Sequence, residues 1–87
     1  MAKKDESPWV RLCRYLCDSK LLDAEVMPGT DRGSECWIVV HRPREKKDLQ
    51  VRLKRQGNSV FIYPDGKDAY LCVIPSLLPE IVVKACQ

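Results

Sequence analysis

The sequence predicts a small α+β domain with an N-terminal helix, a three- to four-stranded antiparallel sheet and a short C-terminal helix. Three observations support this fold class: a helical stripe of apolar residues near the N-terminus, a series of short β-rich segments, and turns containing glycine or proline between them. A chain of 87 residues suits one hydrophobic core. We therefore expect a single domain over residues 7–87. Residues 1–6 have no apolar period and are expected to be a mobile polar leader.

The first helix is predicted to begin at Ser7-Pro8, because serine is a favoured N-cap and proline fits the first helical position. The apolar residues that follow recur every three or four positions, which is helical spacing. They are Trp9, Leu12, Cys13, Leu16 and Cys17. This stripe predicts a helix that ends between Asp18 and Leu22.

The strand segments differ in their patterns. Residues 24–27 could form a short strand, residues 36–41 are a continuous β-branched and aromatic run, and residues 48–56 alternate between apolar and polar. Residues 60–63 and 70–74 complete the sheet. The continuous run is typical of a strand covered on both faces. Residues 76–86 fit a short helix with Pro79 in its first turn, although their β-branched residues also fit a strand.

The dipeptide Gly57-Asn58 predicts a two-residue hairpin turn, because both residues tolerate a positive φ. Such a turn would pair Arg52 with Tyr63 and Lys54 with Phe61, and opposed residues share a face of the sheet. We call these four residues the platform, since mixed basic and aromatic side chains suit single-stranded nucleic acid. Two alternatives remain open. A three-residue loop would turn the rings into the core, or the helices could cover both faces.

Positive charge is concentrated in residues 42–55. This stretch has seven basic and two acidic residues, a net charge of +5, whereas the whole chain carries +3 and the remainder therefore −2. Such asymmetry is typical of a surface that binds phosphate or an acidic protein surface. The candidate binding residues are Arg42, Arg44, Lys46, Lys47, Arg52, Lys54, Arg55, Phe61 and Tyr63.

The basic loop, residues 42–47, connects two predicted strands, and Pro43 stiffens its start. Loops on a rigid scaffold often carry binding residues, so its charges are free to contact a partner. The competing interpretation is a solvated loop whose lysines protect a sheet edge from aggregation.

The cysteines lie in apolar runs and form no CxxC pair, so we interpret them as reduced and mostly buried, which indicates a cytoplasmic protein. They are Cys13, Cys17, Cys36, Cys72 and Cys86. Zinc bound by Cys13, Cys17 and either His41 or Cys36 is the alternative, but the second close pair typical of zinc sites is missing. We predict no metal and no cofactor. No segment approaches the roughly 18 apolar residues of a membrane span, so no membrane contact is expected.

Three functions are consistent with these features. The preferred one is a non-enzymatic binding module that presents residues 42–55 to a polyanion, with RNA favoured over DNA. The second is a protein-interaction or inhibitor module that docks through a sheet edge or through residues 18–35, which hold five acidic and two basic residues. The third is a small ribonuclease that uses His41 and nearby arginines, with Asp48 or Glu45 to orient the imidazole.

Overall fold

Two helices pack on the same face of a five-stranded antiparallel sheet in the computed structural model, which describes residues 7–87. The helices are α1 (Pro8–Asp18) and α2 (Leu78–Ala85), and the strands are β1 (Asp23–Val26), β2 (Glu35–His41), β3 (Leu49–Gln56), β4 (Ser59–Pro64) and β5 (Tyr70–Cys72). The strands follow one another across the sheet in chain order. The leader predicted over residues 1–6 lies outside the described residues.

The prediction of three to four strands was wrong, because both short terminal segments join the sheet. β1 pairs with β2, and β5 pairs with β4 over three residue pairs. β5 ends at Cys72 and not at Ile74 as predicted. The reason is that the Cys72 thiol donates to the Ile74 carbonyl oxygen at 3.1 Å and a 3₁₀ turn, Pro75–Leu77, follows directly.

Both helices form as predicted, and the strand alternative for the C-terminal segment was wrong. The Ser7 hydroxyl accepts a hydrogen bond from the Val10 amide at 3.2 Å and caps α1. The Trp9 indole donates to the Gly33 carbonyl at 2.8 Å, which ties the helix to the β1–β2 loop. In α2, Pro79 occupies the first turn, and Val82 and Ala85 are buried.

The core lies entirely between the sheet and the two helices. Its strand residues alternate in sequence, as expected for one buried face. They are Ala24, Cys36, Ile38, Val40, Leu49, Val51, Leu53, Val60, Ile62 and Cys72. The prediction that residues 36–41 are covered on both faces was wrong. Both helices pack on the side of Ile38, and the intervening Trp37 remains 38% exposed on the other.

The cysteine prediction is confirmed for four of the five residues: Cys13, Cys36, Cys72 and Cys86 are buried and all five thiols are free. Burial raises the pKa of the Cys13 thiol to about 12 and that of Cys36 to about 11. These thiols therefore stay protonated at neutral pH and act as small apolar groups. Cys17 is exposed, and its thiol donates to the Ala24 carbonyl oxygen at 3.3 Å.

The predicted hairpin register is confirmed. Gly57 has a φ of +61°, and the turn pairs Arg52 with Tyr63, Leu53 with Ile62 and Lys54 with Phe61. Leu53 and Ile62 are fully buried, whereas the platform residues project from the opposite face. Neither alternative holds, because the rings are outside the core and no described element covers their face.

This register predicts unequal costs for two neighbouring substitutions. Ile62→Ala should lower the free energy of unfolding by about 2–5 kcal/mol, because it empties a fully buried site. Phe61→Ala should cost less than half as much, because the ring is only partly buried against the uncovered face. Urea unfolding of the two variants, measured beside the wild type, checks this. A larger loss for Phe61→Ala would contradict the register.

Candidate nucleic-acid interface

The uncovered face of the sheet has a row of three side chains across its centre. Trp37 of β2 pairs with Arg52 of β3, and Arg52 pairs with Tyr63 of β4. The guanidinium carbon of Arg52 lies 5.9 Å from the centroid of the Tyr63 ring. At this distance the cation is attracted to the π face of the ring. The row therefore alternates ring, cation and ring on the middle strands.

A second row lies beside the first. Here Glu35 pairs with Lys54, Lys54 with Phe61, and Phe61 with Leu71. The Phe61 and Tyr63 rings are nearly parallel, with 8° between their planes and 6.2 Å between their centroids. Two rings with one orientation give a planar base a consistent surface to stack on. The structure thus brings all four platform residues together.

An acidic residue lies within this basic and aromatic surface. The Glu35 carboxylate accepts a hydrogen bond from the Arg52 guanidinium, with 3.2 Å between Oε1 and Nη2. Both side chains remain about two-fifths exposed, at 42% and 40%. The pair is therefore open to water and to competing anions.

Trp37 also belongs to this surface, although the sequence did not predict it as a binding residue. The apolar run around Trp37 does not reveal which residues face the core. Val39 and Val40 are equally hydrophobic, for example, but only Val40 is buried. The pairing of β2 with β3 is also not set by a tight turn, because residues 42–48 separate the two strands. The sequence offered one indication, a tryptophan shortly before a basic stretch. That indication does not determine which face of the sheet the Trp37 ring lies on.

Five of the nine predicted binding residues lie away from the platform, and Arg55 and Arg42 are two of them. Arg55 projects on the helix side, where it lines a groove with Pro8, Trp9 and Leu78. Arg42 is only 22% exposed, and its buried Nε makes no hydrogen bond to any described residue. Its nearest carboxylate is Glu45, with Nη2 and Oε1 3.8 Å apart.

The remaining predicted residues, Arg44, Lys46 and Lys47, are exposed on the basic loop, which contains a short 3₁₀ turn, Pro43–Glu45. Lys46 ends that turn in the left-handed region, with φ of 55°. At about 3.3 Å per residue, the loop lies at least about 10 Å from Arg52 along β3. Its charges are thus a separate group from the platform, beyond the opposite end of the same strand.

His41 links three parts of the chain. Its Nε2 lies 3.1 Å from Glu25 Oε2 on β1, and its Nδ1 lies 3.2 Å from Asp48 Oδ1, at the end of the basic loop. The hydrogen bond to Glu25 raises the pKa of His41, and the one to Asp48 adds to the rise. Two carboxylates on two ring nitrogens are best satisfied by the doubly protonated imidazolium.

This arrangement bears on the ribonuclease hypothesis. Asp48 is one of the two predicted orienting residues, and Glu25 takes the place of Glu45. With both ring nitrogens hydrogen-bonded to carboxylates, neither is free to accept a proton from a substrate. His41 instead connects β1 to the residue before β3, and we call His41 with Glu25 and Asp48 the His41 clamp. Among residues 7–87, no group of three or more potential metal ligands comes together.

A scan against protein-family models, a search of the curated proteins and a search of the solved structures each found no match to this chain. Among the residues that the structure describes, no helix has the length and apolar character needed to cross a bilayer. Function must therefore be inferred from the geometry of the uncovered face.

The His41 clamp predicts a pH-dependent stability. Because its pKa is raised in the folded state, its contribution is fully present below the ordinary pKa of 6.5 and is lost as the pH rises through the folded-state pKa. The difference in Tm between the wild type and His41→Gln should be larger at about pH 6 than at about pH 9. Thermal unfolding at both pH values measures it. An equal difference at the two pH values would contradict the clamp.

Proposed function

We propose that the protein is a non-enzymatic module that binds single-stranded nucleic acid, with RNA ahead of DNA, on the uncovered face of its sheet. One observation carries the proposal: Trp37, Arg52 and Tyr63 form a row on that face, and Lys54 and Phe61 lie in the next row. Bases of a single strand can stack on the rings, and the cations between them can pair with phosphates.

The size of these effects is sufficient for useful affinity. A base stacked on an aromatic side chain contributes about 1–3 kcal/mol, and three rings are available. Each phosphate neutralised adds an attraction that weakens with salt. The separate cations of the basic loop extend the positive surface along the direction of β3. Gln50 and the carboxylates of Glu25 and Asp48 lie on the same face between the platform and the loop, so a strand that reaches both would meet two separate basic groups.

Single-stranded RNA is the preferred ligand for two reasons. A duplex keeps its bases paired, so its base faces are not available for stacking on a flat sheet. RNA presents unpaired bases in loops and at ends, and sheet surfaces with exposed aromatic residues recognise such segments. We also propose a cytoplasmic location, which is supported by the five free cysteines.

Binding of a fluorescein-labelled oligouridylate of about twelve nucleotides tests the proposal, with anisotropy as the readout. Trp37→Ala and Tyr63→Ala should each weaken binding by about 5- to 150-fold, which corresponds to the loss of one stacked base. Tyr15→Ala is the matched control, because Tyr15 is an exposed tyrosine on α1, on the opposite side of the sheet. It should bind like the wild type. Equal reductions in affinity for Tyr15→Ala and Tyr63→Ala would contradict the proposal.

The charge contribution is tested by the salt dependence of the same assay. Log affinity should fall with log salt, and replacing Arg44, Lys46 and Lys47 by alanine should flatten the slope by about 0.7 for each phosphate that is no longer neutralised. The Tm should hardly change, because these side chains are exposed. Polyphosphate as competitor separates charge from stacking, since it has no bases. Affinity that is independent of salt would exclude this mode of binding.

A second candidate function is self-association, and an uncharged edge of the sheet favours it. Residues 69–79 contain no charged side chain, and Leu71, Val73 and Ile74 are at least half exposed. β5 is an edge strand, and exposed apolar edge strands tend to pair with another chain. The other edge, β1, carries Asp23 and Glu25, which would repel their own copies. We therefore propose a second copy, paired antiparallel through β5, as the occupant.

Sedimentation equilibrium over a range of protein concentrations tests this candidate. The wild type should form dimers, and Leu71→Lys should be monomeric, because it places a charge in the interface. Leu21→Lys is the matched control, since Leu21, in the turn that follows α1, is 43% exposed and Leu71 is 50% exposed. It should dimerise normally. A wild type that is monomeric at every concentration would contradict self-association. A different protein would then be the candidate partner of the β5 edge.

A further inference from the structure

One acidic side chain of the uncovered face contacts a platform cation directly. Glu35 begins β2 and lies directly opposite Lys54, and its carboxylate pairs with Arg52 at 3.2 Å. Glu35 thus contacts Arg52 directly and faces Lys54 across the strand pair. With Glu35 included, the three groups carry a net charge of +1, whereas the two cations alone carry +2.

We propose that Glu35 is an internal competitor that restrains nucleic-acid binding on this face, an inference that rests on the proposed function. A carboxylate oxygen and a phosphate oxygen accept the same kind of hydrogen bond from a guanidinium, so Glu35 competes with a phosphate for the Arg52 N–H that it now holds. The pair is exposed to water and is weak, which makes it displaceable. A phosphate that takes the N–H now bound to Glu35 must displace the carboxylate, and a phosphate that uses the other N–H groups of Arg52 still meets its repulsion.

The proximity of Arg52 to Tyr63 gives the restraint a second effect. The guanidinium carbon lies 5.9 Å from the ring centroid while Nη2 is held by Glu35. The ion pair therefore holds Arg52 beside the ring on which a base would stack. When Glu35 is displaced, Arg52 can turn toward a phosphate without leaving the row. Glu35 would thus lower the affinity for polyanions that have no bases. A single strand would still bind, because its bases also stack on the rings.

The opposite role is also physically reasonable, and it makes the opposite prediction. If Glu35 instead orients Arg52 for the ligand, its removal should weaken binding, because the cation would become mobile. The competitor role requires stronger binding and a steeper salt dependence when the carboxylate is removed. The sign of one measurement therefore separates the two roles.

Glu35→Gln tests the inference, because it removes the charge and retains the shape of the side chain. Its affinity for the labelled oligouridylate should rise about two- to fivefold, the equivalent of an exposed ion pair. The log–log salt slope should also become steeper, by less than about 0.7, because the negative charge beside the bound strand is removed while Arg52 contacts a phosphate in both proteins. A change in folding stability alone would not move that slope.

Glu80→Gln is the matched control. It makes the same change in net charge in the first turn of α2, on the opposite side of the sheet. It should alter affinity and slope much less than Glu35→Gln. In a background of Arg52→Gln, Glu35→Gln should have no greater effect than Glu80→Gln, because the competitor acts through Arg52.

The outcomes distinguish the inference from the function on which it rests. If the wild type binds and Glu35→Gln binds no better than Glu80→Gln, or binds less well, Glu35 is not a competitor and the proposed function stands. If neither the wild type nor Glu35→Gln binds oligouridylate at low salt, the proposed function fails and the inference fails with it. If only Glu35→Gln binds, the restraint is stronger than an exposed pair would give, and the inference is supported.

Discussion

Burial of a single face of the sheet is the constraint from which the other features of this protein follow. Residues 7–87 contain two short α-helices, and both pack on the side that holds Ile38, Leu53 and Ile62. Side chains along a strand alternate between the two faces of the sheet. Because only one face is covered, successive strand residues alternate between the core and solvent. The uncovered face is thus a direct consequence of how little helical surface the chain has to cover a five-stranded sheet.

The composition of that face differs from an ordinary solvent-exposed face. Trp37, Phe61 and Tyr63 are large rings that a surface in contact with water alone would not need, and two of them are 38% exposed. Cations separate and border the rings, so that no large purely apolar patch forms at the centre. The result is a surface that remains compatible with water and can still contribute stacking energy to a ligand. Its apolar character increases toward β5, where Leu71 is half exposed.

Charge is arranged in pairs that join strands distant in sequence. Glu35 and Arg52 join β2 to β3, and His41 joins β1 to the start of β3 through Glu25 and Asp48. Both groups lie on the uncovered face, where the helices give no support. Each is too exposed to add much stability, but each fixes the direction of a charged group. In both groups, acidic side chains pair with a basic one on this face.

Residues close together in the chain carry enough information to specify part of the fold and of the platform. Ser7-Pro8 indicates where α1 begins, and Gly57-Asn58 sets the register of β3 with β4, because a tight turn leaves one way to pair its strands. Features that join distant residues required the folded core, which placed Trp37 beside Arg52. Long connections separate β1, β2 and β3, so no turn fixes their registers. The match of buried faces fixes them instead, and it depends on the summed burial of all five strands.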